Sequence, residues 1–333
     1  MPNAHPFDDV QTLALQLVRS HCQLALQANP LQRVSAYLAE LTGHTDLATC
    51  SAPQQQTLAV LAACLALDFV PADAQCIAQA WQKQSQRTGG FDPGAWPVEP
   101  ADFGLPEASP QCSTRANHSP HTQLAAPAFA PCPHALGLYA VLPDAAWVGR
   151  MARAGVPTLQ LRFKSDDPNA VLREVHTAVH AVQGTAAKLF INDHWQAAIQ
   201  AGAYGVHLGQ EDLQATSAPQ LQAIRTAGLR LGLSTHGYAE MLRAAAVAPS
   251  YIAMGAVYAT TLKRMATPPQ GPQRLKKYTQ LLRHFPTVAI GGIDASRLPE
   301  VCASGVGSVA VVRALVAADQ PEQQAQALMD LIG

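Results

Sequence analysis

From residue 135 onward the chain repeats one pattern eight times: a short apolar segment followed by a segment with helical periodicity. The short segments are rich in Val, Ile and Leu, which is typical of parallel strands buried on both faces. Eight such units in about 200 residues predict a (β/α)8 TIM barrel, an α/β fold, near its lower size limit. A doubly wound open sheet is less favoured, because no G-x-G-x-x-G motif follows the first strand. The predicted strands are GLYAVL (137–142), TLQLRF (158–163), AKLFIN (187–192), GVHLG (205–209), RLGLSTH (230–236), YIAMGAV (251–257), TVAIGGI (287–293) and SVAVV (308–312).

Two zones precede these units. Residues 7–90 place apolar residues at three- and four-residue steps, which predicts helices. The next segment, 91–134, holds nine of the chain's 25 prolines, and this composition predicts an extended linker. The predicted organisation is therefore a helical N-terminal region over 1–90, a Pro-rich linker over 91–134 and the barrel domain over 135–333.

Composition excludes several classes of function. A formal net charge of −1 over 333 residues argues against a nucleic-acid binder, since such proteins usually carry a marked basic excess. The longest apolar run, LAVLAACLAL, is too short to cross a bilayer, and the N-terminus lacks a signal-peptide pattern. Seven cysteines without metal-binding spacing indicate reduced thiols in the cytoplasm. We therefore predict a cytoplasmic protein that acts on small molecules; the sequence allows a homo-oligomer without specifying one.

Polar residues concentrate where the predicted strands end. The C-terminal ends of the strands carry the active site in (β/α)8 barrels, so these residues are expected to face one site. They come from seven of the eight strand ends, and those at the second strand alternate, which places them on one face. They are Gln160, Arg162, Lys164, Asn192, Asp193, His207, Glu211, Asp212, Ser234, His236, Thr260, Lys263, Gly291, Gly292 and Arg313.

Asp193 and Asp212 stand one β–α unit apart, each near the end of a neighbouring strand. Two carboxylates placed in this way can share one hard cation. Mg²⁺ is expected, because it takes few protein oxygens and completes its shell with water and substrate phosphate. The cations Arg162, Lys164 and Lys263 beside such a metal suit a diphosphate. The pattern therefore predicts a metal–diphosphate site on this rim.

The Gly291-Gly292 turn predicts a second phosphate site, because this fold commonly binds phosphate in the loops after its last two strands. Each residue also has a purely structural interpretation. Asp193 could be the N-cap of a helix that starts at His194, Asp212 could be a turn or cap residue, and the glycines could form a tight turn. One shared site accounts for all of these residues together.

The same residues carry a resemblance to a known family. QLRFK, FINDHWQAAIQAGAYGVHLGQEDLQAT, LGLSTH, YIAMGAVYATTLK and VAIGGI, in this order, resemble thiamine-phosphate synthase over roughly residues 135–333. The resemblance implies a cytoplasmic, Mg²⁺-dependent transferase with a (β/α)8 barrel. The implied reaction joins hydroxymethylpyrimidine diphosphate to thiazole phosphate and releases pyrophosphate.

The resemblance also implies roles for individual residues. It implies Mg²⁺ ligands at Asp193 and Asp212, diphosphate contacts at Arg162, Lys164, Asn192 and Lys263, pyrimidine contacts at Gln160 and Ser234, and thiazole-phosphate contacts at Thr260 and Gly292. The three cations of this set are the implied catalytic residues, because they stabilise the departing pyrophosphate.

Three residues depart from the family's pattern. Phe163 stands where the family has an acidic or polar residue, on the strand face opposite its neighbours. Leu262 replaces a second Thr of the loop motif, and the adjacent Thr261 can supply a hydroxyl in its place. Arg313 stands where the family tends to have Ser, and a guanidinium also binds phosphate. We therefore expect the thiazole-phosphate pocket to differ in detail.

Two other functions fit parts of the sequence. A thiazole tautomerase, an isomerase on the same barrel, would not need the acidic pair and its cations. A non-catalytic sensor of thiamine precursors would bind ligands without turnover and use the N-terminal helices as its effector. The segment LAVLAACLALDFVPADAQCIAQAWQKQ faintly resembles the C-terminal helices of a hydroxymethylpyrimidine-phosphate kinase. It is too short for a whole kinase, so a kinase remnant and a helical interaction module both stay open.

Overall fold

The structure is a computed structural model, and two compact units make up the chain. One unit consists of residues 1–107 with 237–242, and the other of residues 108–236 with 243–333. The residues that the structure describes are 6–43, 47–106, 128–260 and 267–333.

The first unit is helical. Its helices are α1 (Pro6–Ser20), α2 (Pro30–Thr42), α3 (Ala52–Ala66) and α4 (Pro71–Thr88). Local sequence sets their ends: Ser51 and Gln54 form a capping box at the start of α3, which satisfies backbone donors that lack helical partners. Gly89 ends α4 in the left-handed conformation, where glycine carries no steric penalty.

Aromatic side chains pack against one another in the core of this unit. The Trp81 indole donates to the Asp92 carbonyl over 3.2 Å, and the Trp96 indole donates to the Tyr238 hydroxyl over 2.9 Å. Trp96 and Phe103 are buried, although both lie in the segment that the sequence predicts as a linker. The predicted boundaries at 90/91 and 134/135 stay predictions, and residues 107–127 lie outside the described residues.

The second unit contains a closed barrel of eight parallel strands in chain order. Its strands are β1 (Gly137–Leu142), β2 (Thr158–Leu161), β3 (Lys188–Asn192), β4 (Gly205–Leu208), β5 (Arg230–Thr235), β6 (Tyr251–Met254), β7 (Thr287–Ile290) and β8 (Ser308–Val311). Closure is shown by the pairing of β1 with β8, in which Leu138 aligns with Val309. The predicted (β/α)8 fold is confirmed, and the doubly wound alternative is wrong.

Helices follow the strands along the chain. They are α5 (Ala145–Arg153), α6 (Pro168–Ala181), α7 (Trp195–Ala201), α8 (Gln210–Ala215), α9 (Ala218–Thr226), α10 (Tyr238–Ala246), α11 (Gly271–Leu281), α12 (Leu298–Cys302), α13 (Arg313–Val316) and α14 (Pro321–Ile332). Among the residues described, no helix is both long and apolar enough to cross a membrane.

Several strands end earlier than their apolar runs predict. β2 ends at Leu161, so Arg162 and Lys164 belong to the loop that follows it. β6 ends at Met254 and β7 at Ile290. The residues beyond β6 and β7 remain apolar or small, so the sequence pattern predicts strand there as well. In the structure they turn into the loops above the barrel.

Candidate active site at the C-terminal ends of the strands

A cavity of about 860 Å³ lies at the C-terminal ends of the strands, a size typical of small-molecule sites. It brings together nearly all the side chains that the sequence predicts for the site. Lys263 is the exception, because it lies outside the described residues, as do Thr261 and Leu262 of the same loop. The predicted residues that line the cavity are Gln160, Arg162, Lys164, Asn192, Asp193, His207, Glu211, Asp212, Ser234, His236, Thr260, Gly291, Gly292 and Arg313.

Asp193 does not cap a helix. Helix α7 begins at Trp195, and its N-cap position is His194. The Asp193 backbone has φ of +63°, and its N–H donates to the His207 carbonyl on the neighbouring strand over 2.9 Å. A non-glycine residue in this left-handed region is strained, and such strain concentrates at functional sites. The simple capping interpretation of Asp193 is therefore wrong, and its carboxylate lines the cavity.

Asp212 lies in the first turn of α8 and lines the same cavity as Asp193. The residue before this helix is Gly209, and a Cβ added there would lie 3.0 Å from Asp212 Oδ2. The glycine therefore lets the carboxylate fold back close to the backbone.

The two carboxylates influence each other. The pKa of Asp193 is raised to about 6, mainly because burial disfavours its charge and also because the Asp212 carboxylate lies beside it. The charge of Arg162 acts in the opposite direction, although it does not cancel the rise. Two half-buried carboxylates that repel each other form a set of hard oxygen donors, which suits Mg²⁺ or a similar cation.

This acidic pair provides only part of a metal's coordination shell. Among the described residues, no group of three or more His, Cys, Asp or Glu side chains converges to hold a metal. A cation bound between the carboxylates would therefore take further oxygens from water or from a bound ligand. Mg²⁺ commonly binds in this way beside substrate phosphates.

Asp193 also fixes the direction of a hydrogen-bond chain along the cavity wall. Asn192 Nδ2 donates to Asp193 Oδ2 over 2.5 Å, since an ionised carboxylate can only accept. The Asn192 carbonyl therefore faces Gln160, whose Nε2 donates to Asn192 Oδ1 over 2.7 Å. The amides of Asn192 and Gln160 are thus oriented by the Asp193 carboxylate.

The cations beside the acidic pair are available for an anion. Arg162 is half-buried and Lys164 is exposed, and both line the cavity. Within the described parts of the chain, neither forms an ion pair with a carboxylate. No salt bridge within these parts of the chain therefore occupies either cation, which favours a negatively charged ligand at this end.

The opposite side of the cavity is formed after β7 and β8. Gly291 and Gly292 have φ of +107° and +63°. A Cβ at Gly292 would lie 2.5 Å from the Ala259 carbonyl oxygen, so a side chain there would displace the loop that follows β6. Thr260, in this same loop, lines the cavity. The glycines are therefore required for the close approach of the two loops.

Two further polar residues line this side and were not predicted from sequence. Arg297 stacks on the Tyr258 ring, 4.8 Å from its centroid, and donates to the Gly292 carbonyl. Asp294 accepts from the backbone N–H groups of Ser296 and Arg297. Their one sequence signal is their position within four residues of the GGI motif that follows β7.

The raised pKa of Asp193 leads to a stability prediction. In metal-free buffer, Asp193→Asn is expected to raise the free energy of unfolding at pH 8 by about 1 kcal/mol, after a discount for solvent screening. The unfolded carboxyl ionises near pH 4 and the folded one at about pH 6. The native state therefore binds more protons between these values, and wild-type stability falls as pH rises through that window.

Urea unfolding of the wild type and of Asp193→Asn at a series of pH values measures this difference. The advantage of the variant should grow between about pH 4 and pH 6 and then stay constant. An advantage that is independent of pH would contradict a raised pKa at this carboxylate.

A closed (β/α)8 barrel with an acidic pair and unpaired cations on one rim defines a class: barrel enzymes that act on anionic small molecules. A family model described as thiamine monophosphate synthase matches residues 138–315, more than half of the chain. The chain belongs to the thiamine-phosphate synthase family, whose members are transferases.

Individual relatives agree with this assignment. Thiamine-phosphate synthase of Neisseria gonorrhoeae is 52% identical over 203 residues, which cover 61% of this chain and 98% of that protein. The enzyme of the same name from an Enterobacter species is 49% identical over 207 residues, which cover 62% of this chain and 97% of that protein.

A structural comparison supports the fold. The solved structure of thiamine phosphate pyrophosphorylase from Pyrococcus furiosus gives a TM-score of 0.53 at 24% sequence identity, covering 59% of this chain and 95% of that one. At this level of identity the likeness supports the barrel architecture alone. The family match lies within the barrel, so the resemblance of the N-terminal helices to a kinase stays a prediction.

Proposed function

We propose that this thiamine-phosphate synthase transfers a hydroxymethylpyrimidine group from its diphosphate to the nitrogen of thiazole phosphate in a Mg²⁺-dependent, dissociative reaction. The observation that supports the proposal is the single cavity in which two carboxylates and two unpaired cations meet at one end. At the other end the same cavity is lined by Gly291, Gly292 and Arg313. Two anionic substrates can therefore be held at opposite ends of one space.

The metal would be held by Asp193 and Asp212. Its chemistry would be to neutralise charge that develops on the leaving pyrophosphate oxygen. The raised pKa of Asp193 fits this role, because a bound cation favours the ionised carboxylate that burial disfavours.

The protein's own cations stabilise the same leaving group. Arg162 and Lys164 would bind the diphosphate, and Asn192 and Lys263 would add a donor each. Phe163 stands between the first two, so this segment contributes two positive charges. These charges are already in place before the reaction, so their stabilisation of the transition state requires little reorganisation. We assign the three cations as the catalytic residues.

The other side chains would hold the two reacting groups. Gln160 and Ser234 would contact the pyrimidine, and Thr260 and Gly292 would contact the thiazole phosphate. The bond between the exocyclic methylene carbon and the diphosphate oxygen breaks first, and the oxygen leaves with the electron pair. The electron-rich aminopyrimidine stabilises the resulting carbocation. The thiazole nitrogen then attacks that carbon with its lone pair, so no nucleophile from the protein is needed.

A substrate-requirement assay tests this function. The purified protein is given the pyrimidine diphosphate, the thiazole phosphate, or both, with Mg²⁺, and pyrophosphate and thiamine phosphate are measured. We expect both products in equal amounts, and only when both substrates are present. Isomerisation of the thiazole alone would instead indicate a tautomerase. Tight binding of a substrate without any turnover would indicate a sensor.

Arg313 provides a prediction specific to this chain. It is exposed, lines the cavity and forms no ion pair among the described residues. Arg313→Ala is expected to raise the KM for thiazole phosphate about tenfold, which corresponds to the loss of one charge-assisted contact. The KM for the pyrimidine diphosphate should stay unchanged. Steady-state kinetics with each substrate varied in turn measures both values, and Arg313→Lys should keep part of the affinity. An equal rise in both KM values would contradict this assignment.

We also infer that the protein acts in the cytoplasm on small molecules. Six cysteines of the described residues are free thiols, which fits a reducing compartment. The near-neutral net charge of −1 gives no support for a nucleic-acid partner.

A further inference from the structure

A chain of buried hydrogen bonds leads from the barrel interior to the cavity. The hydroxyls of Tyr139 and Tyr251 lie 2.7 Å apart. The Tyr251 hydroxyl lies 2.7 Å from His207 Nδ1, and His207 Nε2 lies 2.7 Å from Ser234 Oγ. Both tyrosines are buried inside the barrel, whereas His207 and Ser234 line the cavity. The chain therefore ends at a side chain that can contact a ligand.

The strand register and a glycine on β5 make this series of hydrogen bonds possible. His207 on β4, Gly232 on β5 and Tyr251 on β6 are aligned by the strand register. A Cβ at Gly232 would lie 2.1 Å from Tyr251 Cζ. The missing side chain therefore lets the Tyr251 ring cross over β5 and reach the histidine two strands away. Any other residue at 232 would displace the Tyr251 ring and break its hydrogen bond to His207.

The direction of the hydrogen bonds follows from a count of hydrogens. Among the described residues, the Tyr139 hydroxyl has one hydrogen-bond partner, the Tyr251 hydroxyl. A buried donor without an acceptor is costly, so Tyr139 donates to Tyr251. The hydrogen of Tyr251 must then go to His207 Nδ1. His207 therefore carries its hydrogen on Nε2 and donates to Ser234 Oγ.

Because Ser234 Oγ accepts from His207, its own hydroxyl hydrogen is left for a ligand in the cavity. With the opposite direction, Ser234 would donate to His207 and the Tyr139 hydrogen would be buried without an acceptor. Across the cavity wall, Gln160 uses its Nε2 to donate to Asn192, which leaves its carbonyl oxygen as an acceptor. Gln160 therefore offers its carbonyl oxygen as an acceptor, together with the second hydrogen of its Nε2, and Ser234 offers a hydroxyl donor.

We propose that Tyr139, Tyr251 and His207 are positioning residues that hold Ser234 as a hydrogen-bond donor toward the cavity. The Ser234 donor and the Gln160 acceptor together select a heterocycle with an amino group and an unprotonated ring nitrogen. This selection of the heterocycle rests on the proposed function, whereas the direction of the hydrogen bonds does not. A heterocycle with a carbonyl in place of the amino group would put its oxygen against the Gln160 carbonyl oxygen, so the site disfavours it.

The tautomer of His207 tests the direction of the hydrogen bonds without any substrate. Long-range proton–nitrogen NMR of the full chain with nitrogen-15 histidine, at pH 8, distinguishes the two ring nitrogens. Ser234→Ala identifies the His207 signals by their shift, so no variant of the buried histidine is needed. We expect the hydrogen on Nε2. A hydrogen on Nδ1, or on both nitrogens, would overturn the proposal even if the transferase activity is confirmed.

Kinetics test the consequence for the substrate. Tyr251→Phe is expected to raise the KM for the pyrimidine diphosphate about tenfold and to leave the KM for thiazole phosphate unchanged. Tyr204→Phe, at another tyrosine of the barrel, is the matched control. Because Tyr251 acts through Ser234, adding Tyr251→Phe to Ser234→Ala should have no further effect. Independent, multiplying effects would overturn the positioning role.

Discussion

Replacing either Asp193 or Asp212 with Asn is expected to lower the turnover number at saturating Mg²⁺ by about a thousandfold, or roughly 4 kcal/mol in the activation barrier. The amide keeps the size and shape of the side chain and removes its negative charge. A pair that has lost one charge binds a divalent cation weakly, and charge on the departing pyrophosphate then lacks a counter-charge. Pyrophosphate release under steady-state conditions measures the loss.

A matched control separates this effect from a general change of charge. Asp319 is exposed, and it does not line the cavity. Asp319→Asn should therefore retain full activity and the same Mg²⁺ requirement. If either cavity variant kept more than about a tenth of the wild-type turnover with an unchanged Mg²⁺ requirement, the two carboxylates would not be the metal ligands.

The second large effect is expected at Arg162. Arg162→Met should lower kcat/KM for the pyrimidine diphosphate about a hundredfold, or roughly 2.7 kcal/mol. Methionine keeps part of the packing of the half-buried side chain and removes the guanidinium, which binds phosphate through two parallel hydrogen bonds. Arg162→Lys keeps the charge without that geometry and should recover only part of the loss.

Lys164 and Arg313 provide the comparison for Arg162. Lys164 is exposed, so we expect a smaller loss in Lys164→Met than in Arg162→Met. Arg313→Ala should raise the KM for thiazole phosphate and leave the KM for the pyrimidine diphosphate unchanged. Initial rates with each substrate varied separately distinguish these patterns. An Arg162→Met enzyme with a changed KM for thiazole phosphate alone would contradict the placement of the diphosphate.

The barrel could be predicted from sequence because each strand appears as a short apolar run, and this run recurs eight times with a helical segment after it. Each of the eight apolar runs contains a strand of the structure, and their order is the order around the barrel. The polar residues at their ends converge for the same reason, since parallel strands all present their C-terminal ends on one side. Site residues such as Gln160 and Asn192 therefore follow from strand periodicity and fold class together.

Other features depend on contacts between distant parts of the chain and give no local signal. Tyr139 and Tyr251 read as ordinary apolar strand residues, and only the closed barrel brings their hydroxyls to 2.7 Å. Arg297 lies on a helix-period segment and reaches the cavity through the turn after β7. Trp96 and Phe103 are buried within a segment whose prolines predict a linker. Composition indicates chain stiffness there and does not reveal what the aromatic side chains pack against.

Metal dependence of pyrophosphate release is the measurement that tests the central claim most directly. The full chain is incubated with both phosphorylated substrates in Mg²⁺, and then in EDTA with and without restored Mg²⁺. We predict release of pyrophosphate together with thiamine phosphate in Mg²⁺, none in EDTA, and full recovery when Mg²⁺ is restored. Equal rates with and without the metal, or tight substrate binding without release, would contradict the proposed reaction.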